Sequence, residues 1–396
     1  MLKYLIRSRS GVLVIFLFFL CLIGARSDQV WSNVHSQEIQ DYVDQGQFGF
    51  AIAVTDKSAI IGAHDSGKAY IFERSPSTGL WGGLASATLS SSDGSFGYSV
   101  ALTDDYAIVG AYEASTVYIY ECNNGDWSTA SVVTLSETEE NDFGFSVDIT
   151  DSYAIVGASS WTQNSGAQKV WIYGRSSPGV WASISVIDAY TGVKCFAFDV
   201  AMTNNFIISG AKNAKAAYVF ARDSVDGWST VAEATFSENN KNNFGISVDI
   251  TDKYAIVGAS GAGEAYIYAY TGGSWDETPM TSLTTFDSSH FGRTVSLTDN
   301  YALVCAAVGG SATTAQKAYI FSLTAGVWNA ETPTTIDGYT SEVLYEDFGI
   351  GGAISDSYAI IGAKTAQKAY IFMNKCEAGS YLNLGGRCEM CGEGYF

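Results

Sequence analysis

Short apolar runs set off by polar punctuation follow one another along this chain, with no stretch of helical period between them. The pattern is plainest at 143–159, FGFSVDITDSYAIVGAS, which returns at 244–260 as FGISVDITDKYAIVGAS with two of seventeen positions changed. Aligned on the phenylalanine, the phrase starts at Phe48, Phe96, Phe143, Phe196, Phe244, Phe291 and Phe348, at intervals of 48, 47, 53, 48, 47 and 57 residues. Glycine follows in six units and Ala197 in the fourth. Each unit opens with an alternating piece ending in Thr or Ser and then Asp or Asn: Asp56, Asp104, Asp151, Asn204, Asp252, Asp299 and Asp356. An apolar run of the YAIVGA type follows, then a variable loop, then AYIF or a relative. A turn then leads into Trp81, Trp127, Trp181, Trp228, Trp275 or Trp328 and a weaker strand.

This predicts four short strands per unit. The Asp is expected to form the tight reversal, because it bonds its own backbone and tolerates turn geometry. The two middle strands are apolar on both faces, so each needs a sheet on either side. Four-stranded sheets stacked around an axis meet that need, and the fold class expected is all-β, a seven-bladed β-propeller. The seventh unit ends at 369–372, AYIF, without a Trp strand, while Trp31 lies 17 residues before Phe48, close to the 15 to 20 of the other units. The strand around Trp31 is therefore expected to complete the last blade and remove the open edges of the ring.

Phe-Gly, a short strand, a turn, φφVGA and Ala-Tyr-φ-Phe together resemble the FG-GAP repeat, the unit of the integrin α-chain propeller and of many extracellular proteins. The resemblance covers Trp31 to Phe372 and implies a propeller with adhesion or receptor-like use. It departs at the first turn. Integrin-type repeats carry several DxDxDGxxD loops there, whereas every turn here is cut to Thr-Asp-x-Tyr or similar, one carboxylate where calcium needs six to eight oxygens. A calcium-free variety is expected, with no metal and no cofactor.

The N-terminus changes the picture of location. Lys3, Arg7 and Arg9 precede a 14-residue apolar run (11–24) and the small residues of ARS, the form of a secretory signal peptide over 1–27. The alternative is an uncleaved N-terminal anchor. Cleavage removes four of 21 basic residues, leaving 17 against 41 acidic ones, a net charge of −24. Such a balance argues against nucleic acid and anionic membrane as partners. No Asn-x-Ser/Thr sequon occurs. Domains are therefore expected at 28–375 (propeller) and 376–396 (a cysteine-rich tail).

Two kinds of variable loop share one face: those between second and third strands, and those before each Phe-Gly. Trp161 and Tyr190 with the acidic Glu139, Glu140 and Asp142 mark blades three and four as the richest binding surface. Lys68, Lys169, Lys317 and Lys368 precede third strands, and Asp93, Asp142 and Asp347 precede Phe-Gly pairs, so the two sets are candidates for inter-blade pairing or for simple solvation. His35, His64 and His290 stand in different units with no HExxH or GxSxG context. Binding without catalysis, to an extracellular protein or glycan, is expected. A secreted carbohydrate-active enzyme and a structural spacer are the alternatives.

Cys305 replaces the glycine of VGA and is expected to be a buried thiol. The tail CEAGSYLNLGGRCEMCGEGYF carries Cys376, Cys388 and Cys391 and resembles the opening of an ephrin-receptor-like or growth-factor-receptor cysteine-rich module. Secretion favours disulfides over zinc there. Three cysteines leave one over, so either Cys122 or Cys195 joins them or the module continues past Phe396, the reading favoured here. A membrane partner is expected only if an anchor follows residue 396. Expression through a eukaryotic secretory route should yield a mature N-terminus at Asp28, checked by intact mass; a retained apolar leader would make the segment an anchor.

Overall fold

The structure, a computed structural model, describes residues 30–33, 35–40, 46–137, 142–159, 168–223, 227–285, 290–307, 316–338, 347–375, 380–382 and 388–390. Seven antiparallel sheets surround one axis, each entered by a Phe-Gly unit. Blade 2 is representative: Phe96–Leu102, Tyr106–Ala111 and Thr116–Asn123 run from the axis outward, and the outermost position is shared by Asp126–Trp127 and Val133–Ser136. Blade 7 is assembled from both ends of the chain. Trp31 pairs with Asn374, and Gln37–Gln40 pairs with 368–371, so the N-terminal strand closes the ring as expected. A separate hairpin of Ser380–Leu382 and Cys388–Met390 follows the propeller.

The repeated residues hold the blades together at three radii. Nearest the axis, the glycine of VGA in one blade backs onto the glycine of Phe-Gly in the next. A Cβ on Gly62 would lie 2.0 Å from the carbonyl oxygen of Gly97, and Gly97 itself has φ +92°, with Lys68 O 2.3 Å from where its Cβ would be. A side chain at either position would force the blades apart. Blade 6 carries Cys305 instead, fully buried as expected, its thiol pushed up to about 12 by burial. Space for it comes from Gly349 and Gly352 of blade 7. A Cβ on Gly352 would sit 3.0 Å from Cys305 Sγ.

At the turn end, the Thr-Asp pair works differently from the expectation. Threonine forms the reversal: the backbone N–H groups of Lys57 and Ser58 both donate to Thr55 Oγ1 at 3.1 Å. This frees the Asp or Asn at the next position to point at the preceding blade, where its side-chain oxygen accepts a threonine or serine hydroxyl. Thr55 donates to Asp104 (2.9 Å), Thr150 to Asn204 (2.8 Å), Thr203 to Asp252 (2.6 Å), Thr298 to Asp356 (2.7 Å) and Ser355 to Asp56 (2.7 Å). The second oxygens of Asp104, Asp252 and Asp356 accept from Lys57, Asn205 and Asn300, and Lys253 pairs with Asp299 in the same way. Asp is thus an inter-blade clasp.

At the outer radius each tryptophan stands edge-on to the aromatic residue that opens the second strand of the preceding blade. Trp31–Tyr301, Trp81–Tyr358, Trp181–Tyr106, Trp228–Tyr153, Trp275–Phe206 and Trp328–Tyr254 have centroids 5.3–5.5 Å apart and interplanar angles of 81–89°. Trp127 meets blade 1, where Ser58 holds the equivalent place. The lysines before third strands pair within their own blade. Lys169 with Asp188 (3.7 Å), Lys317 with Asp337 (3.5 Å) and Lys368 with Glu38 (2.9 Å) all reach the fourth strand. Antiparallel register puts the first two pairs directly opposite each other.

Trp31 is 4% exposed although it stands at the start of the described chain. Its replacement by alanine should cost about 3–5 kcal/mol, the value for a fully packed aromatic, read from guanidinium unfolding. A frayed, non-closing terminus would leave the midpoint unchanged.

Candidate functional site

First strands line a channel of 420 Å³ along the axis. The residue after each Phe-Gly rings its end on the loop-bearing face: Phe50, Tyr98, Phe145, Phe198, Ile246, Arg293 and Ile350. They are brought there by a two-residue twist. The residue before each phenylalanine has φ between +45° and +66°, and in every blade but the fourth its carbonyl accepts the N–H of the residue after the glycine, as Asp142 does from Phe145 (3.1 Å), whereas Phe198 donates to Gly210 O (3.1 Å). Four aromatic rings follow one another around the mouth, with centroids 4.9 Å (Phe50–Tyr98), 5.2 Å (Tyr98–Phe145) and 5.2 Å (Phe145–Phe198) apart.

A second ring comes from the residue after each VGA. His64 stacks edge-on to Phe50 (4.5 Å) and Tyr112 lies 4.5 Å from Tyr98. Lys212 Nζ sits 3.7 Å from the centre of Phe198, and Lys364 Nζ 5.5 Å from that of Phe50, both cation–π contacts. Lys212 is 8% exposed, and burial pulls it down to about 8, with nearby Arg293 adding repulsion and Cys195 opposing. Burial likewise lowers Arg293 and His64. Cys195 is a buried thiol, raised by burial, with Asn213 Nδ2 at 3.0 Å from Sγ.

Three carboxyls lie deeper, in the channel wall. Asp148 accepts the N–H of Met202 (2.7 Å), Asp199 that of Val248 (2.8 Å) and Asp249 that of Leu297 (2.7 Å), each reaching the first strand of the next blade. All three line the channel and are partly buried. Desolvation pushes Asp148 and Asp199 up to about 7 and Asp249 to about 6, against the backbone donors, which pull down. Among the described residues no three His, Cys, Asp or Glu converge in a metal-binding arrangement.

The residues singled out in the sequence do not gather here. Trp161, Glu139, Glu140, Cys376 and Cys391 lie outside the described residues. Cys388 opens a strand of the terminal hairpin, and Cys122 is a thiol on the third strand of blade 2. Tyr190 is 37% exposed; its hydroxyl accepts the N–H of Ala232 (2.7 Å) and its ring tilts against Tyr218, which fastens it to blade 4. Asp142 occupies the left-handed position before Phe143, a backbone duty shared with Gln47, Ser95, Cys195, Asn243, His290 and Asp347. The mouth itself went unread. Its signal was the column after Phe-Gly, aromatic in four units and Arg293 in one.

Residues 86–125 match the sequence profile of the FG-GAP repeat. No protein of curated function matches the chain. Solved structures share its architecture at low identity. One is a putative 6-phosphogluconolactonase from Bacteroides fragilis (12% identity, TM-score 0.60, covering 89% of this chain and 96% of that one). Another is the WD40 domain of Toxoplasma gondii coronin (10%, 0.58, 90% and 89%). A third is a chain of a mitotic checkpoint complex (10%, 0.58, 92% and 99%). At such identity they share the fold alone.

The three channel carboxyls make a pH dependence with a defined sign. Their folded pKa values lie above the unfolded value near 3.8, so the folded state holds more protons between about pH 4 and 7. Their stabilising contribution is complete below pH 4 and is lost as pH rises to 7. The triple variant Asp148→Asn, Asp199→Asn, Asp249→Asn should show a flatter fall in Tm between pH 4.5 and 7.5 than the parent; identical slopes would refute the assignment.

Proposed function

We propose that this chain is an extracellular binding module that engages a protein or glycan partner through the face carrying the Phe-Gly turns, and that it does so without turnover. One observation carries the reading. Glycine, Thr-Asp and Trp recur because inter-blade contact demands them, whereas the mouth of the channel departs from sevenfold repetition, placing Lys212 and Arg293 among aromatic rings. Aromatic and arginine side chains on a rigid frame are the usual anchors of recognition. The loops of the same face vary most in length and composition. The apolar leader and the match of 86–125 to a repeat typical of extracellular or surface proteins support the location.

A tagged 28–396 protein, titrated over cultured cells and a glycan array, should bind saturably. Lys212→Glu should weaken binding at least tenfold, the scale of one buried charged contact (~1.4 kcal/mol per decade). Leu84→Ser and Val327→Ser, on exposed apolar residues of the outer turns, should leave it unchanged. Binding lost through the outer-turn variants instead, or hydrolysis of a polysaccharide panel, would overturn the proposal.

A further inference from the structure

We infer that Gln168 and Gln367 are positioning residues that take over, from the loop that follows, the hydrogen bond seating the next blade's phenylalanine. The loop so relieved at 189–195 is the one through which this chain selects its partner. That second step rests on the binding role proposed above, whereas the first stands without it.

Each fourth strand ends opposite the first residue of its third strand, so register defines the length of the loop to the next phenylalanine. Loop 91–95 has five residues, loops 137–142, 238–243 and 285–290 have six, 41–47 and 189–195 seven, and 338–347 ten. The residue before the third strand is Gly67, Ser115, Lys215 or Gly263 in the blades that precede the four shorter loops. It is Gln168, Gln316 or Gln367 in the three that precede the longer ones.

At two of the shorter loops the loop itself seats the phenylalanine. Phe96 N–H donates to Asp93 O (3.2 Å) and Phe244 N–H to Lys241 O (3.3 Å), in each case a carbonyl three residues earlier. At the seven-residue loops the acceptor comes from the preceding blade. Phe196 N–H donates to Gln168 Oε1 (3.0 Å) and Phe48 N–H to Gln367 Oε1 (2.9 Å). Gln367 is itself held, its Nε2 donating to Lys364 O (2.6 Å). Phe48 and Phe196 are fully buried, so an N–H lacking an acceptor there would carry its whole desolvation cost. Glutamine brings an acceptor to this position, whereas Lys215 has only donors and gives its Nζ to Asn239 O (2.9 Å). Gln316 keeps the register before loop 338–347, with its Oε1 buried but not on the Phe348 N–H, so the cap is formed at blades 1 and 4.

Blade 7 shows which loop the glutamine serves. Four residues, 364–367, join its second and third strands, as 212–215 do in blade 4, yet only blade 7 of the two carries glutamine. The glutamine therefore goes with the longer loop that follows and not with the loop in which it stands.

A loop that no longer seats a phenylalanine can change in length and sequence at little cost to the ring, because closure entropy grows slowly. Loop 189–195 takes its order from other contacts. Ala189 N–H donates to Gln168 O (2.9 Å), Val193 N–H to Tyr190 O (3.0 Å), and the Tyr190 hydroxyl accepts from Ala232. Tyr190, Thr191 and Gly192 are exposed, and at the end of the loop Cys195 packs with Phe145, Phe198 and Ile246 of the channel mouth. An ordered, exposed loop running into the mouth is placed to read a partner without paying for its own ordering on binding.

Insertion of Gly-Ser-Gly-Ser into the 28–396 protein, after Thr191 or after Asn239, separates the two kinds of loop. The first should leave Tm within about 1 °C, and the second should lower it by about 2–4 °C, the scale of one buried N–H deprived of its acceptor. Gln168→Ala should speed hydrogen exchange of the Phe196 amide at least ~10-fold without touching that of Phe244, and Gln168→Glu, which keeps an acceptor, should restore most of the protection. Should Gln168→Ala not fold, the two insertions decide. Over cultured cells and a glycan array, the Thr191 insertion should weaken binding at least ~10-fold. Equal Tm losses from both insertions, or Phe196 exchange indifferent to Gln168→Ala, would overturn the positioning role. Binding unchanged by the Thr191 insertion would overturn the recognition role of the loop and leave the binding role standing. A parent protein that binds nothing would overturn both of those, with the positioning role still decided by Tm and exchange.

Discussion

Backbone pressed against backbone between neighbouring blades is the constraint on which this molecule depends. At the inner end of every second strand except one, a glycine faces the carbonyl of the next blade's Phe-Gly turn at a distance that admits no Cβ. The blades can then converge closely enough for the buried phenylalanines to fill the wedge between them, each no more than 1% exposed. Where Cys305 breaks the rule, two glycines in the following blade, Gly349 and Gly352, restore the space. The exception shows that the requirement belongs to the interface rather than to either residue.

From that contact outward the interactions become more specific. The threonine-to-aspartate bonds fix the angle of each blade at the turn end, and the Trp–Tyr contacts fix it at the rim. All three sets operate between blades, so a single unit isolated from its neighbours has little to hold it. The closure of blade 7 by Trp31 and Gln37–Gln40 therefore matters more than its few hydrogen bonds suggest: without it blade 7 loses its outer strand, Tyr301 of blade 6 loses Trp31 and Trp81 of blade 1 loses Gln37.

These duties also explain where variation is permitted. The residue after Phe-Gly points at the axis, where seven blades meet but none needs its side chain to seat the next. Phe, Tyr, Ile and Arg are all accepted there, and chemistry can be placed at the mouth without weakening the ring. Asp148, Asp199 and Asp249 mark the opposite compromise. Each is a partly desolvated acid kept because it accepts an N–H of the next first strand that faces the channel.

The repeat by itself determined the strand count, the seven blades and the closure by the N-terminal strand, because period, apolar runs and the displaced Trp31 are local or additive properties of the chain. The buried state of Cys305 followed from its column. Only the tertiary structure decided what the polar members of the repeat touch. The aspartate of Thr-Asp reads as a turn residue because its nearest neighbours in sequence are a turn, yet its partner is a threonine 49 to 58 residues earlier, or across the ring closure from Ser355 to Asp56. Lys169 and Lys317 found acids on their own fourth strands, and Tyr190 found Ala232. The mouth of Phe198, Lys212 and Arg293 was equally hidden: its members lie up to 95 residues apart and share nothing in sequence but their register to a Phe-Gly or VGA, which becomes proximity only when the ring closes.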